Sequence, residues 1–320
     1  MTKVNDDILA LIQQLDEKYK ASGQDLKAYL EGLLHANYLN YWDYVEVDTL
    51  LSLQKPRTPI KDEMIFIIYH QITELYFKLT LHEMEQIAAL KSTITVSFFT
   101  ERLKRINAYF RNLTRSFEIM VDGMDHKQFL QFRMSLLPAS GFQSAQYRMI
   151  EICATHFNNL VDKNHRNQIK ADDSIAKKFE YIYWQAGATE LATGKKTLTL
   201  TQFEDKYAGQ LIRLAQAYES KNMLAVYESM SASDQQDEAL LAQMRQFDLN
   251  VNVNWPLVHY KSAVRYLQRD PEDIAATGGT NWQKYLPPRF QKRIFYPTLW
   301  SEQEIEEWGK QGIIDLLNSK

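Results

Sequence analysis

The chain has 320 residues, 45% of them apolar and 24% charged, with a formal net charge of −3. That length supports a large core, and the near-neutral balance excludes the basic footprint expected for nucleic acid or an acidic membrane surface. No apolar run approaches the roughly 18 residues a transmembrane helix needs, the acidic start Met1 to Asp7 lacks the apolar stretch of a secretory leader, and the single Cys153 excludes an internal disulfide or a thiolate metal cluster within one chain.

A cytoplasmic protein is expected, with no nucleic acid and no membrane among its partners. Only 11 Gly and 8 Pro occur in the whole chain. So few breakers favour long helices. A helix is expected over about 5–20 on the apolar stripe Ile8, Leu11, Ile12 and Leu15, stopped near Gly23, and a second from Asp25 to about Leu34. The aromatic and Asn-rich stretch His35 to Tyr44 reads as a loop entering a short helix near Val47–Leu53, before Pro56 and Pro59. One long helix is expected from Lys61 to about Leu90; its opening, Met64 to His70, is apolar all round and so reads as buried on every side.

An amphipathic helix follows over 98–122, and a shorter one over about Lys127–Leu136. Ser140 is expected to cap a helix running to about Leu160. Residues 163–200 carry a weaker helical piece, Ile175–Ala186, and a surface loop at Gly194-Lys195-Lys196. Helices are then expected over about 201–219, 222–230 and 234–249, and another with Pro256 at or near its start, through His259 to about Leu267. Arg269–Thr280 reads as a loop, and 282–295 and 301–318 as closing helices. With no strand pair and no repeat, one all-α domain over 1–320 is the simplest architecture.

Seven histidines are present, and spacing removes several chemistries. His82-Glu83 begins like a zinc-protease helix, but Gln86 stands where the second ligand must be. No Glu-x-x-His pair exists for a di-iron bundle, and Gly278-Gly279 follows no strand that would make it a phosphate loop. Cys153, inside an apolar helix, reads as packing. His70 is one turn after Phe66 on the same helix face, so the two line one space. A hydrogen-bonded core histidine is the alternative. Arg133, one turn after Phe129 among apolar residues, needs an anionic partner, either a structural carboxylate or that of a ligand. His259, in Trp255-Pro256-Leu257-Val258-His259-Tyr260, has no second ligand nearby, but a haem iron needs only one axial histidine.

Taken together, three segments resemble the tryptophan 2,3-dioxygenase family. They are Asp62 through Lys78 around Phe66 and His70, Phe129-Leu130-Gln131-Phe132-Arg133 continuing through Pro138-Ala139-Ser140-Gly141-Phe142 to Arg148, and Trp255 four residues before His259 with Thr277-Gly278-Gly279-Thr280 beyond. The resemblance is good over about 37–160, moderate over 250–300 and poor between. It implies an all-α helical haem-binding domain that assembles as a homotetramer, binds haem b and oxidises L-tryptophan with O2 to N-formyl-L-kynurenine. It further implies that His259 is the proximal iron ligand and that the distal His70 hydrogen-bonds the indole N–H. Phe66 and Phe129 would wall the indole pocket, Arg133 would bind the substrate carboxylate and Thr277 its ammonium group. Tyr41 and Tyr44 would be pocket tyrosines, Tyr41 supplied by a neighbouring subunit, with an N-terminal arm of about 1–56 in subunit contacts. The chain departs from the family in having Pro256 where an Arg usually follows the tryptophan, a longer segment between His259 and Thr277, and Thr280-Asn281-Trp282 at the Gly-rich end. The altered segment after His259 leaves open a related haem-dependent oxygenase acting on another aromatic amino acid or indole; a non-catalytic haem or ligand sensor is a third reading, which needs His259 but gives no reason for Arg133 beside His70.

Overall fold

The computed structural model describes residues 5–36, 39–136, 140–170, 172–189, 193–267 and 287–310. Among them the chain is all-α, with only isolated bridges, Val161 to Ile182 and Thr189 to Lys196, in place of strands. It divides into two compact units, residues 1–55 and 56–320.

The first unit holds helices α1 (Asp6–Ala21), α2 (Leu26–Leu34), α3 (Tyr41–Tyr44) and α4 (Val47–Leu51). Asn5 and Asp25 cap α1 and α2 by accepting backbone N–H bonds. The turn α3 lies inside what the sequence suggested was loop. Of these helices' residues only Leu26 is buried.

The second unit is built on α5 (Asp62–Leu90), which buries Tyr69, Thr73, Phe77, Thr80, Met84 and Ile87 along one stripe. Its opening is not buried on every side: Met64 and Ile68 are 37% and 40% exposed, and Ile72, Leu75 and Leu79 continue that outer stripe. The expectation failed because apolar residues occupy both faces of this helix, so composition could not say which face the core covers.

Against α5 pack α6 (Val96–Ser116) and α9 (Ala145–Ala154), and after the short α7 (Glu118–Val121) comes α8 (His126–Phe132), also packed on α5. The start of α5 is pinned. Buried Glu63 accepts from the amides of Arg57 (2.7 Å) and Thr58 (2.8 Å) and the Thr58 hydroxyl (2.6 Å). Burial alone would raise its pKa, but these donors prevail and hold it below the usual range. Asp62 accepts from the Asp125 amide (2.6 Å) and its own amide donates to Gln128 (3.2 Å), which sets the register of α8 on α5.

Ser140 caps only a 3-10 turn, Gly141–Gln143, and Ser144 caps α9, which ends at Ala154. The expected piece 175–186 is two helices, α10 (Ile175–Phe179) and α11 (Tyr183–Gly187). Then come α12 (Leu198–Tyr218), α13 (Met223–Glu228) and α14 (Glu238–Leu249). Pro256 is the second residue of its helix, near the start as expected, but that helix does not begin from a loop. A π-turn, Asn250–Asn254, carries α14 straight into α15 (Trp255–Leu267). The expected loop 269–280 lies outside the described residues. The expected helix 282–295 is, in its described part, only α16 (Pro288–Gln291), ended by Lys292 at φ +43. A buried stretch, Arg293 to Tyr296, leads to α17 (Glu302–Glu306).

That stretch is held by Asp248, fully buried on α14. Its carboxylate accepts from the amides of Phe295 (3.0 Å) and Tyr296 (3.1 Å), the Trp300 indole (3.0 Å) and Asn252 (2.6 Å). Burial pushes its pKa up to about 6, against the pull of these four donors. Removing the carboxylate strands all four. Asp248→Ala is expected to cost about 3 kcal/mol or more, read from the urea midpoint; a loss below about 1 kcal/mol would show that the clamp contributes little.

Candidate functional site

The first half of the site comes from the start of α5 and from α8. The His70 Nδ1 lies 2.7 Å from the Phe66 carbonyl oxygen, one turn back. A carbonyl can only accept, so Nδ1 carries the hydrogen and Nε2 keeps its lone pair. The Phe66 ring stands 4.1 Å from the imidazole centre. Phe129 and Phe132 of α8 close the wall, 6.4 and 5.7 Å from Phe66, and Tyr266 of α15 stands 4.5 Å from Phe129. Burial lowers the pKa of His70, against the Phe66 hydrogen bond and the Glu74 charge that favour protonation. The ring is therefore neutral at pH 7.

The second half is α15, where the same device recurs. His259 Nδ1 lies 2.8 Å from the Trp255 carbonyl oxygen, again one turn back, leaving Nε2 bare. The Trp255 and Phe117 rings stand 4.4 and 4.5 Å from the imidazole. Burial pushes the His259 pKa down to about 4; the Trp255 bond opposes that, and His70 is near enough for its charge to lower it further. The two halves are joined through aromatic rings, Tyr69 lying 6.4 Å from His70 and 5.7 Å from Phe117. Both imidazoles keep some exposure, so neither is sealed in the core.

Arg133 follows Phe132 directly, opens a 3-10 turn ending at Leu136, and is 4% exposed. Burial lowers its pKa, though not enough to threaten its charge. Tyr41 and Tyr44 are exposed on α3 of the first unit. Thr277 lies outside the described residues. The structure thus gathers Phe66, His70 and Phe129, and brings His259 within electrostatic reach of His70. Phe117, Tyr69 and Tyr266 were not singled out from the sequence. Phe117 continues the buried series Phe99, Leu103, Ile106, Phe110 and Leu113, so helical spacing marked it as core but not as a neighbour of His259.

Two neutral imidazoles, each with one accepting nitrogen, can ligate a metal or accept a hydrogen bond. Aromatic walls suit a flat apolar ligand. Among the described residues, no three of His, Cys, Asp and Glu gather to form a protein-only metal cage.

A family model described as tryptophan 2,3-dioxygenase matches residues 32–181. Curated proteins of that name are similar to part of the chain. The one from Ruegeria sp. (strain TM1040) is 39% identical over 133 residues, covering 41% of this chain and 47% of the relative. That of Polaromonas naphthalenivorans (strain CJ2) is 34% identical over 130 residues, covering 41% and 46%. That of Herpetosiphon aurantiacus is 39% identical over 115 residues, covering 35% and 44%. The chain spans about half the length of the curated relatives it matches. The matched family region includes α5, α8 and α9 and so carries Phe66, His70, Phe129 and Arg133; it ends before His259. Over residues 32–181, just under half of its length, the chain is similar to the tryptophan 2,3-dioxygenase family.

Proposed function

We propose that the chain is a haem-dependent dioxygenase that oxidises L-tryptophan with O2 to N-formyl-L-kynurenine. The observation that carries this reading is the pair of neutral imidazoles on α5 and α15, each tied at Nδ1 and open at Nε2, coupled to one another beside aromatic walls.

The donor set fits a b-type haem. Iron ligation needs a deprotonated, oriented imidazole nitrogen, and a backbone carbonyl on the far nitrogen is the usual means of fixing tautomer and ring plane. His259 has both. Bound there, the haem would supply the activation of O2, which no side chain can perform. The chain's own residues supply the rest. His70 Nε2 accepts the indole N–H of the substrate, a role that requires the neutral tautomer its Phe66 bond enforces. Phe66 and Phe129 hold the indole by area and exclude water from it. The Arg133 guanidinium, buried directly after Phe132, takes the substrate carboxylate through a charge-assisted fork. Thr277, Tyr41 and Tyr44 complete the rim by the family's pattern, with Thr277 toward the ammonium group and Tyr41 from a neighbouring subunit of a homotetramer.

Within the described residues no helix is long and apolar enough to cross a membrane.

The test is to load the purified chain with haem, reduce it, add L-tryptophan and O2, and follow N-formylkynurenine by its absorbance. Product from tryptophan is expected. Turnover of another aromatic amino acid without product from tryptophan would favour a related oxygenase, and no turnover with intact haem binding would favour a sensor. Two variants assign the residues. His259→Ala is expected to lose the Soret band after haem loading and desalting; a normal band would remove His259 as the ligand. Arg133→Ala is expected to raise KM for tryptophan by an amount worth about 2–3 kcal/mol, the range for a charge-assisted contact. An unchanged KM would leave Arg133 with a structural role alone.

A further inference from the structure

Pro256 is the chain's own departure at the foot of the His259 helix, and the surrounding structure answers it. In an α-helix its amide would donate to the Asn252 carbonyl, and its ring crowds that carbonyl. The helix instead widens into the π-turn Asn250–Asn254, in which the Trp255 amide donates to the Asn250 oxygen five residues back. The next bond of that ladder would run from residue 256 to the Val251 oxygen. Proline has no hydrogen to give, so Val251, fully buried, has a carbonyl without its ladder donor.

Two side chains from elsewhere in the fold meet that oxygen. The Tyr147 hydroxyl on α9 donates to it at 2.9 Å, and Arg293 Nη2 donates at 3.1 Å. The same Nη2 donates to the Tyr147 oxygen at 2.8 Å, so the three groups close a triangle. Arg293 is 3% exposed and is itself held. Its Nη1 reaches Glu151 and the Tyr183 hydroxyl, and its Nε reaches the Asn252 side chain inside the π-turn. On the other flank, Asn250 is tied to Asn107 of α6 at 3.0 Å. The π-turn is therefore gripped on both sides, immediately before the residue whose carbonyl orients His259.

We propose that Tyr147 and Arg293 are positioning residues for His259. By replacing the donor that Pro256 lacks, they fix the π-turn, and the π-turn sets the rotation of α15 that aims the imidazole. Their meaning for the reaction rests on the reading of His259 as the iron ligand. Neither side chain touches the imidazole, so each acts through the backbone.

The experiment is a double-mutant cycle in the haem-free full-length chain, with Tyr147→Phe, Pro256→Ala and both together. Pro256→Ala restores an amide that can donate to Val251, so it makes the Tyr147 hydroxyl redundant. Two quantities are read: the urea midpoint, and the ¹⁵N shifts of the His259 ring, which report its tautomer. Tyr147→Phe is expected to lower the midpoint and to turn the single Nδ1–H tautomer of His259 into a mixture. In the Pro256→Ala background the midpoint loss should shrink to less than half, and the single tautomer should return. Additive midpoint losses would overturn the pairing of Val251 with these donors. A tautomer unmoved by Tyr147→Phe would overturn the positioning role and leave a brace for stability alone. Arg293→Lys, which keeps the charge but not the fork, gives a second entry to the same cycle if Tyr147→Phe does not fold. Both readouts are taken without haem, so failure of the haem reading, seen as absence of a Soret band in the wild-type chain after loading, is distinguishable from failure of this inference.

Discussion

Each of the two site histidines donates its Nδ1 hydrogen to a carbonyl one turn back in its own helix, and the chemistry of the site depends on that pair of bonds. A free imidazole samples both tautomers and turns about its side-chain bonds. Locked at Nδ1, it presents one accepting nitrogen in one direction. Burial adds the second requirement by keeping both rings neutral at physiological pH. Under the proposed function the same arrangement would serve two ends, an iron ligand on α15 and a hydrogen-bond acceptor for a substrate N–H on α5. What distinguishes them is the neighbourhood: Trp255 and Phe117 crowd His259, whereas Phe66 and the α8 phenylalanines stand by His70.

The remaining architecture holds these helices in register. Asp62 and Gln128 set α8 on α5, so that Phe129 meets Phe66. Asp248 pulls the C-terminal stretch onto α14, which delivers Arg293 to the π-turn. Buried polar groups of this kind, once satisfied, penalise alternative packings in which they lose partners. That suits a long helix interrupted by proline, whose π-turn these groups hold.

Much of this was legible in the sequence, for identifiable reasons. The long helix was expected over 61–90 and spans Asp62–Leu90, because few breakers and an apolar stripe leave little choice. His70 and Phe66 were placed on one face by their spacing of four, and the structure puts their rings 4.1 Å apart. Local pattern failed where distant residues decide. Ser140 has every feature of a helix cap, yet Ser144 four residues later starts the real helix. Pro256 signals a start or a kink. The π-turn that absorbs it needs donors from Tyr147 and Arg293, which stand 104 and 42 residues from Val251 in the chain, and no local rule sees them. The nearness of His259 to His70 likewise could not be read from spacing; family resemblance supplied it as an expectation, and the geometry brings the two within electrostatic reach.

The two histidines are assigned different tasks, one holding iron and one kept free for the substrate. The most direct measurement of that division is the resonance Raman spectrum of the haem-loaded, reduced chain without substrate. A five-coordinate spectrum with one iron–histidine band, lost in His259→Gly and restored there by added imidazole, is the predicted result. A six-coordinate, bis-histidine spectrum in the wild-type chain would place His70 on the iron and contradict it.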